Sequence, residues 1–153
     1  MRRKDRERDY YFALDVIDNA PYAVASFVDE NNMPYAIPLT ITRIGENLYF
    51  HSAMEGRKCD ILKRSGDVCV SFVYDVEPAL DRFTTYYKSA IVKGKAVEIT
   101  DINEKIEALR ALCERFCPSN MPDFDNAIAR SISRTAIYKI SMDEVTAKGK
   151  IHE

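Results

Sequence analysis

The chain has 153 residues, 46% of them hydrophobic and 30% charged, with a formal net charge of −2; that size and balance predict one globular domain over residues 1–153, able to bury a core without a disulfide or metal staple. The charge excludes a global field that draws in nucleic acid, leaving only a local basic groove as an option. No stretch approaches the roughly 18 apolar residues of a membrane span, and the opening "MRRKDRERD" has no apolar run behind it, so no signal peptide is expected and a cytoplasmic location is the simple reading.

In chain order, residues 6–18 place Tyr10 or Tyr11, Leu14 and Ile17 at helical spacing, a first helix that ends before Pro21. A β-meander follows. Its first strand covers about 22–28, "DENN" supplies turn chemistry, and the second strand covers about 35–43. There Tyr35, Ile37, Leu39 and Ile41 alternate with Ala36, Pro38, Thr40 and Thr42, the period of a strand with one buried face. Pro38 has no N–H to give a ladder, so its position is a sheet edge, a bulge, or a place where something other than a strand lies alongside. "IGEN" turns the chain into a third strand, "LYFHS".

A short helix is expected over about 55–64, with Gly66 as its stop. "DVCVSFVY" forms a fourth strand with Val68, Val70, Phe72 and Tyr74 on one face, and "DVEPALDRF" reads as a loop. The long strand "TTYYKSAIVKGKAVEIT" contains Gly94, the mark of a bulge or sharp bend. Asp101 caps the next helix, with Glu104 three residues on as in a capping box. Ile102, Ile106, Leu109, Leu112 and Phe116 give that helix an apolar stripe, and Pro118 ends it. "SNMPDFDNAIAR" reads as a loop with a short helix, and "RTAIYKISMDEV" as the last strand. About six antiparallel strands, one of them long and bent, predict a mainly β fold: a closed or nearly closed small barrel with peripheral helices.

Cys59, Cys69, Cys113 and Cys117 are expected as free thiols in a reducing compartment. Cys113 and Cys117, one helical turn apart, could form half a metal site, but no second pair accompanies them, and no metal is expected.

The candidate chemistry gathers in "YFHSAMEGRK". Arg57 and Lys58 fall in the first turn of the short helix, where unpaired amides already carry positive potential. Cations there cost a few tenths to about 1 kcal/mol each, which a solvated basic pair tolerates. The alternative is an anion site: free amides, Gly56 to let the backbone approach, Ser52 as a further donor, and two cations converging on a phosphate. The motif is neither a Walker A loop nor a Rossmann fingerprint. His51, at a strand end, is either a structural hydrogen-bonder or a contact to the ligand or its reaction partner. Ser89 is either a small residue on a sheet face or a polar group at a site. Nothing places an acid behind His51, so no Ser-His-Asp triad can be drawn.

"MRRKDRE", "PYAIPL", "LYFHSAMEGRKCDIL" and "YYKSAIVKGKA" followed by "INEKIEALRALCE" resemble, in that order and over about residues 1–117, the pyridoxamine 5'-phosphate oxidase-like flavoproteins, above all their nitroimidazole-resistance branch. The resemblance implies an FMN-binding split β-barrel that forms a homodimer, with the cofactor in the cleft between subunits. It implies that Ile37, Pro38, Leu39 and Thr40 run beside the flavin ring, that His51 and Ser52 line the cleft, that Arg57 and Lys58, next to Gly56, hold the phosphate, and that Ser89 lies on the strand reaching the dimer cleft. The implied activity is transfer of two electrons from reduced flavin to a small acceptor such as a nitroimidazole, with a reduced nicotinamide as possible donor and His51 orienting the acceptor or supplying a proton. The ending "VTAKGKIHE" lacks the Arg-x-His signature of the vitamin B6 oxidases, which argues against that substrate. The family also holds members that bind haem or a deazaflavin and members without demonstrated activity, so a non-catalytic flavin- or haem-binding module is the competing reading. The net charge and the lack of a basic-aromatic stripe argue against a third reading, a small barrel that binds single-stranded nucleic acid.

Overall fold

The long bent strand organises the molecule. The computed structural model describes residues 3–152, so the first two residues of "MRRKDRE" and the last residue of the chain lie outside the described residues. In chain order the strands are β1 (Glu7–Arg8), β2 (Ala23–Val28), β3 (Pro34–Leu39), β4 (Thr42–Ile44), β5 (Asn47–Ala53), β6 (Asp67–Ala79), β7 (Thr84–Glu98), β8 (Thr135–Ser141) and β9 (Glu144–Lys150). The α-helices are α1 (Tyr10–Asn19), α2 (Arg57–Arg64), α3 (Ile102–Phe116) and α4 (Phe124–Ser131). All strand pairings are antiparallel, and the main order is β3-β2-β6-β7-β8-β5-β4, with β9 beside β7 and β1 beside β9.

β7 pairs with β9 through Tyr87–Lys93 and with β8 through Ala96–Glu98. Gly94 stands at the switch, where a Cβ would lie 1.7 Å from the Ser141 carbonyl oxygen. Only a residue without a side chain lets the two backbones pass there. The sheet therefore turns a corner and becomes a split β-barrel with peripheral helices, the fold class read from the sequence.

The barrel interior is filled by Leu48, Phe50, Val70, Phe72, Val92 and Ile140. α1 inserts Ala13, Val16 and Ile17 into this core, and α2 adds Cys59, Ile61 and Leu62. A second cluster lies on the other face of β5 and β8, where α3 and α4 bring Ala108, Leu109 and Phe124 against Tyr49 and Ile137. β5 is thus covered on both faces over its first half. Arg115 ties the layers: its guanidinium donates to the carbonyls of Ile17 (2.8 Å), Ala20 (2.7 Å) and Ile41 (3.1 Å).

Three strands were not anticipated. The expected second strand breaks at Thr40–Ile41 into β3 and β4, because the chain leaves one side of the barrel for the other. The expected last strand is a hairpin, β8 and β9, and residues 144–150, read partly as a tail, are a full strand against β7. The first helix begins at Tyr10, since the Asp9 carboxylate accepts the Phe12 amide at 2.9 Å and caps it there; Glu7–Arg8 instead pair with β9. The segment read as a loop after Tyr74 is strand as far as Ala79. A bulge between Tyr74 and Glu77, with Asp75 at φ 55°, carries β6 onward to pair Glu77, Pro78 and Ala79 with Tyr86, Thr85 and Thr84. The result is a projecting arm whose tip exposes Leu80 and Phe83 completely.

Two smaller expectations also change. α2 ends on Ser65, and Gly66 serves close approach to β7, where a Cβ would meet the Ala96 carbonyl oxygen at 2.6 Å. Asp101 caps α3 as expected, but Glu104 turns away from the box to accept from Lys139 (2.9 Å) and Tyr49 (3.3 Å). The four cysteines are free thiols, and burial raises the pKa of Cys113. No helix among the described residues is long and apolar enough to cross a membrane.

Candidate functional site

Strand alternation positions the site. Along β5 the side chains of Leu48, Phe50 and Ser52 enter the barrel, while Tyr49 and His51 face the opposite side. Tyr49 is covered by α3, but His51 lies beyond the helical cover and is exposed. Ser52 is buried, its hydroxyl 3.6 Å from the Cys59 sulfur, and the Cys59 thiol in turn donates to the Ala53 carbonyl at 3.2 Å. These contacts pin the start of α2 to the end of β5. Between them the chain turns through Gly56, whose φ of 124° favours glycine. A Cβ there would meet nothing within 4 Å, and Gly56, as N-cap, supplies no side chain to the first-turn amides. Those amides have no acceptor within the helix.

The two basic neighbours in that turn have different surroundings. Arg57 reaches back to the β2–β3 turn, donating to Asp29 at 2.7 Å and to Glu30 at 3.0 Å. Asp29 is itself fixed by the amides of Asn31 (2.8 Å) and Met33 (2.9 Å). The Met33 amide first, then the Asn31 amide and Arg57, hold its carboxyl below the usual range. Arg64 fastens the same turn from the other end of α2, donating to the carbonyls of Val28 and Asp29. Lys58 is half-buried, and among the described residues no carboxylate lies within ion-pair distance of it. Its ammonium stands 5.5 Å from the centre of the Phe50 ring, and burial lowers its pKa. The His51 pKa is lowered as well, first by desolvation along the strand face and then by the Lys58 charge. Its imidazole is therefore neutral at neutral pH.

His51, Ser52, Gly56, Arg57 and Lys58 form one β5–α2 unit. Ile37, Pro38, Leu39 and Thr40 belong to edge strand β3 and its exit, joined to that unit through the turn that Arg57 and Arg64 hold. Ile37 and Leu39 lean on the barrel core, while Pro38 and Thr40 are exposed. Pro38 sits at the sheet edge, paired among the described residues only with β2. Ser89 lies between Val73 and Lys148 and donates to the Lys148 carbonyl at 3.3 Å. Register puts Pro38, Val24, Ser71, Ile91 and Thr146 in one row across five strands, and Val73 and Ser89 on the same outward face. On this face Val73 and Ile91 are exposed, and Lys148 stands beside Ser89. Pro38 and Ser89 thus share one uncovered surface, which neither residue's sequence context signals.

In the sequence "DENN" carries turn chemistry, and nothing local marks Asp29 and Glu30 as ion-pair partners. Two adjacent acids were visible; their partner, 27 and 28 residues away, was not.

The family model described as pyridoxamine 5'-phosphate oxidase matches residues 12–149. No curated protein sequence matches significantly. Several solved structures share the fold. A candidate 5-nitroimidazole antibiotic resistance protein from Bacteroides thetaiotaomicron VPI-5482 is 22% identical at a TM-score of 0.77, covering 92% of this chain and 84% of that one. The flavocytochrome Anf3 from Azotobacter vinelandii is 24% identical at a TM-score of 0.83, covering 99% and 72%. An FAD and heme binding protein from Mycobacterium smegmatis is 21% identical at a TM-score of 0.81, covering 96% and 74%.

Proposed function

As the chain belongs to the pyridoxamine 5'-phosphate oxidase family, we propose that it is a flavoprotein, a single domain over residues 1–153 that binds FMN and works as an oxidoreductase on a small electron acceptor such as a nitroimidazole. Lys58 carries the reading. A half-desolvated cation without a carboxylate, in a helix turn that already repels it, fits an anion. Lys58 and the first-turn amides of α2 would hold the phosphate, Gly56 would let the backbone come close, and Arg57 would border the group. Ser52 supports this turn from beneath through Cys59.

The bound flavin would supply the two-electron chemistry, with a reduced nicotinamide as donor. The chain's own residues orient and enclose. His51, neutral and exposed beside Lys58, offers one ring nitrogen as donor and the other as acceptor to a substrate polar group. Ile37 to Thr40, with Pro38 free of any need for a further strand, would flank the ring. The outward face that holds Pro38 and Ser89 would receive a second copy, making a homodimer with the cofactor between subunits. The free thiols suit a cytoplasmic location.

An absorption spectrum of the purified protein, with chromatography of the released cofactor, tests the reading. Flavin bands and released FMN support it; a Soret band would instead indicate haem, for which His51 is a candidate ligand, and absorption shifted toward shorter wavelength would indicate a deazaflavin. Turnover of a nitroimidazole with a reduced nicotinamide separates an enzyme from a storage module.

A further inference from the structure

Arg57 borders the proposed phosphate site, and in this fold it is already engaged. Both terminal nitrogens of its guanidinium face carboxylates, Nη2 toward Asp29 at 2.7 Å and Nη1 toward Glu30 at 3.0 Å. One positive charge thus meets two negative ones. The two acids are not equivalent. Asp29 is nearly buried and builds the turn, accepting from the amides of Asn31 and Met33. Glu30 is half exposed, and among the described side chains Arg57 is its one hydrogen-bonding partner. Removing the Asp29 carboxylate dismantles the β2–β3 turn; removing the Glu30 charge leaves its backbone contacts in place.

We propose that Glu30 is a selectivity-determining counter-charge, which competes with the cofactor's phosphate for the Arg57 guanidinium and so sets how strongly the site prefers a phosphorylated flavin over an unphosphorylated one. This rests on the reading of the β5–α2 unit as the phosphate site. An incoming dianion meets a trio of net charge −1 at Arg57, Asp29 and Glu30, while Lys58 and the first-turn amides of α2 attract it. Like charges a few ångströms apart at a protein surface repel measurably, and salt screens the effect. An exposed ion pair such as Arg57–Glu30 contributes little to folding. Its main consequence is electrostatic: it tempers the affinity of the corner for anions.

Fluorescence titration of apo-protein with FMN and with riboflavin, in wild type and Glu30→Gln, tests the proposal. The neutral isostere is expected to tighten FMN about three- to tenfold at low ionic strength, to leave riboflavin unchanged, and to lose most of its advantage in high salt. In an Arg57→Ala background the same substitution is expected to gain less, because the two residues act as one unit. Glu30→Asp, with the carboxylate drawn back by one methylene, is expected to fall between. Unchanged FMN affinity in Glu30→Gln, or an equal shift for riboflavin, overturns the role of Glu30 while the flavin reading stands. Failure of the wild type to bind either flavin overturns both.

Discussion

The ammonium of Lys58 lies 5.5 Å from the centre of the fully buried Phe50 ring. The preceding residue, Arg57, turns the opposite way to Asp29 and Glu30. Consecutive cations on one helical turn are thus divided by function: one ties α2 to the β2–β3 turn, the other is held over an aromatic face at the end of the barrel. A cation over a ring gains roughly 0.5–2 kcal/mol, more as water is excluded. That offsets part of the cost of burying Lys58 and of placing it at a positive helix end.

Lys58→Met keeps the aliphatic stem and removes the charge. FMN affinity is expected to fall about tenfold or more, the value of a charge-assisted hydrogen bond of about 1.5–3 kcal/mol, with the thermal midpoint unchanged or slightly raised. Arg57→Ala loosens the β2–β3 turn as well, so that variant loses stability along with affinity. Equilibrium titration beside thermal denaturation separates the two; equal loss of both in Lys58→Met would show a structural lysine.

His51 links the site to pH. Its pKa in the folded chain lies below the ordinary value of about 6.5. As pH falls below about 6.5, the unfolded chain takes up a proton before the folded one does, so the His51 contribution is full above that value and is lost down through the folded pKa. His51→Gln is expected to flatten this part of the stability profile. In an NMR titration the His51 ring should show a midpoint below 6.5, and Lys58→Met should move it upward; a midpoint insensitive to Lys58 refutes the charge coupling. Turnover should fall in His51→Gln while FMN stays bound.

Arg115 donates to three backbone carbonyls from two separate segments, Ile17 and Ala20 at the end of α1 and Ile41 between β3 and β4. Arg115→Ala leaves those acceptors without their partner, and a loss of about 2–4 kcal/mol in urea unfolding is expected. Lysine cannot span three carbonyls with its compact head, so Arg115→Lys should recover less than half of that. Flavin affinity, measured where both variants are folded, should not change.

Ile91 stands exposed in the outward row with Pro38, Val24, Ser71 and Thr146. If two copies meet on this face, Ile91→Glu puts a charge into their contact. Sedimentation should give about twice the 17.5 kDa chain mass for the wild type and the single-chain mass for the variant, with flavin lost at the same time. A wild-type monomer that retains flavin would place the whole site within one chain.

The sequence by itself determined what local order can encode. Alternation in "YAIPL" and "DVCVSFV" marked buried faces, Asp101 marked a helix start, and Gly94 marked the bend of β7, because side-chain period, capping and the space a Cβ needs act within a few residues. The same local logic brought attention to His51, Gly56, Arg57 and Lys58. Only the tertiary structure decided what those residues touch. Glu30 and Asp29 reach Arg57 across 27 and 28 positions, and Arg115 reaches Ile17 across 98. Likewise Pro38 and Ser89 share a face only through the register of β3, β2, β6 and β7. Ion pairs and shared surfaces are set by how the barrel closes, and closure is a property of the whole sheet rather than of any stretch within it.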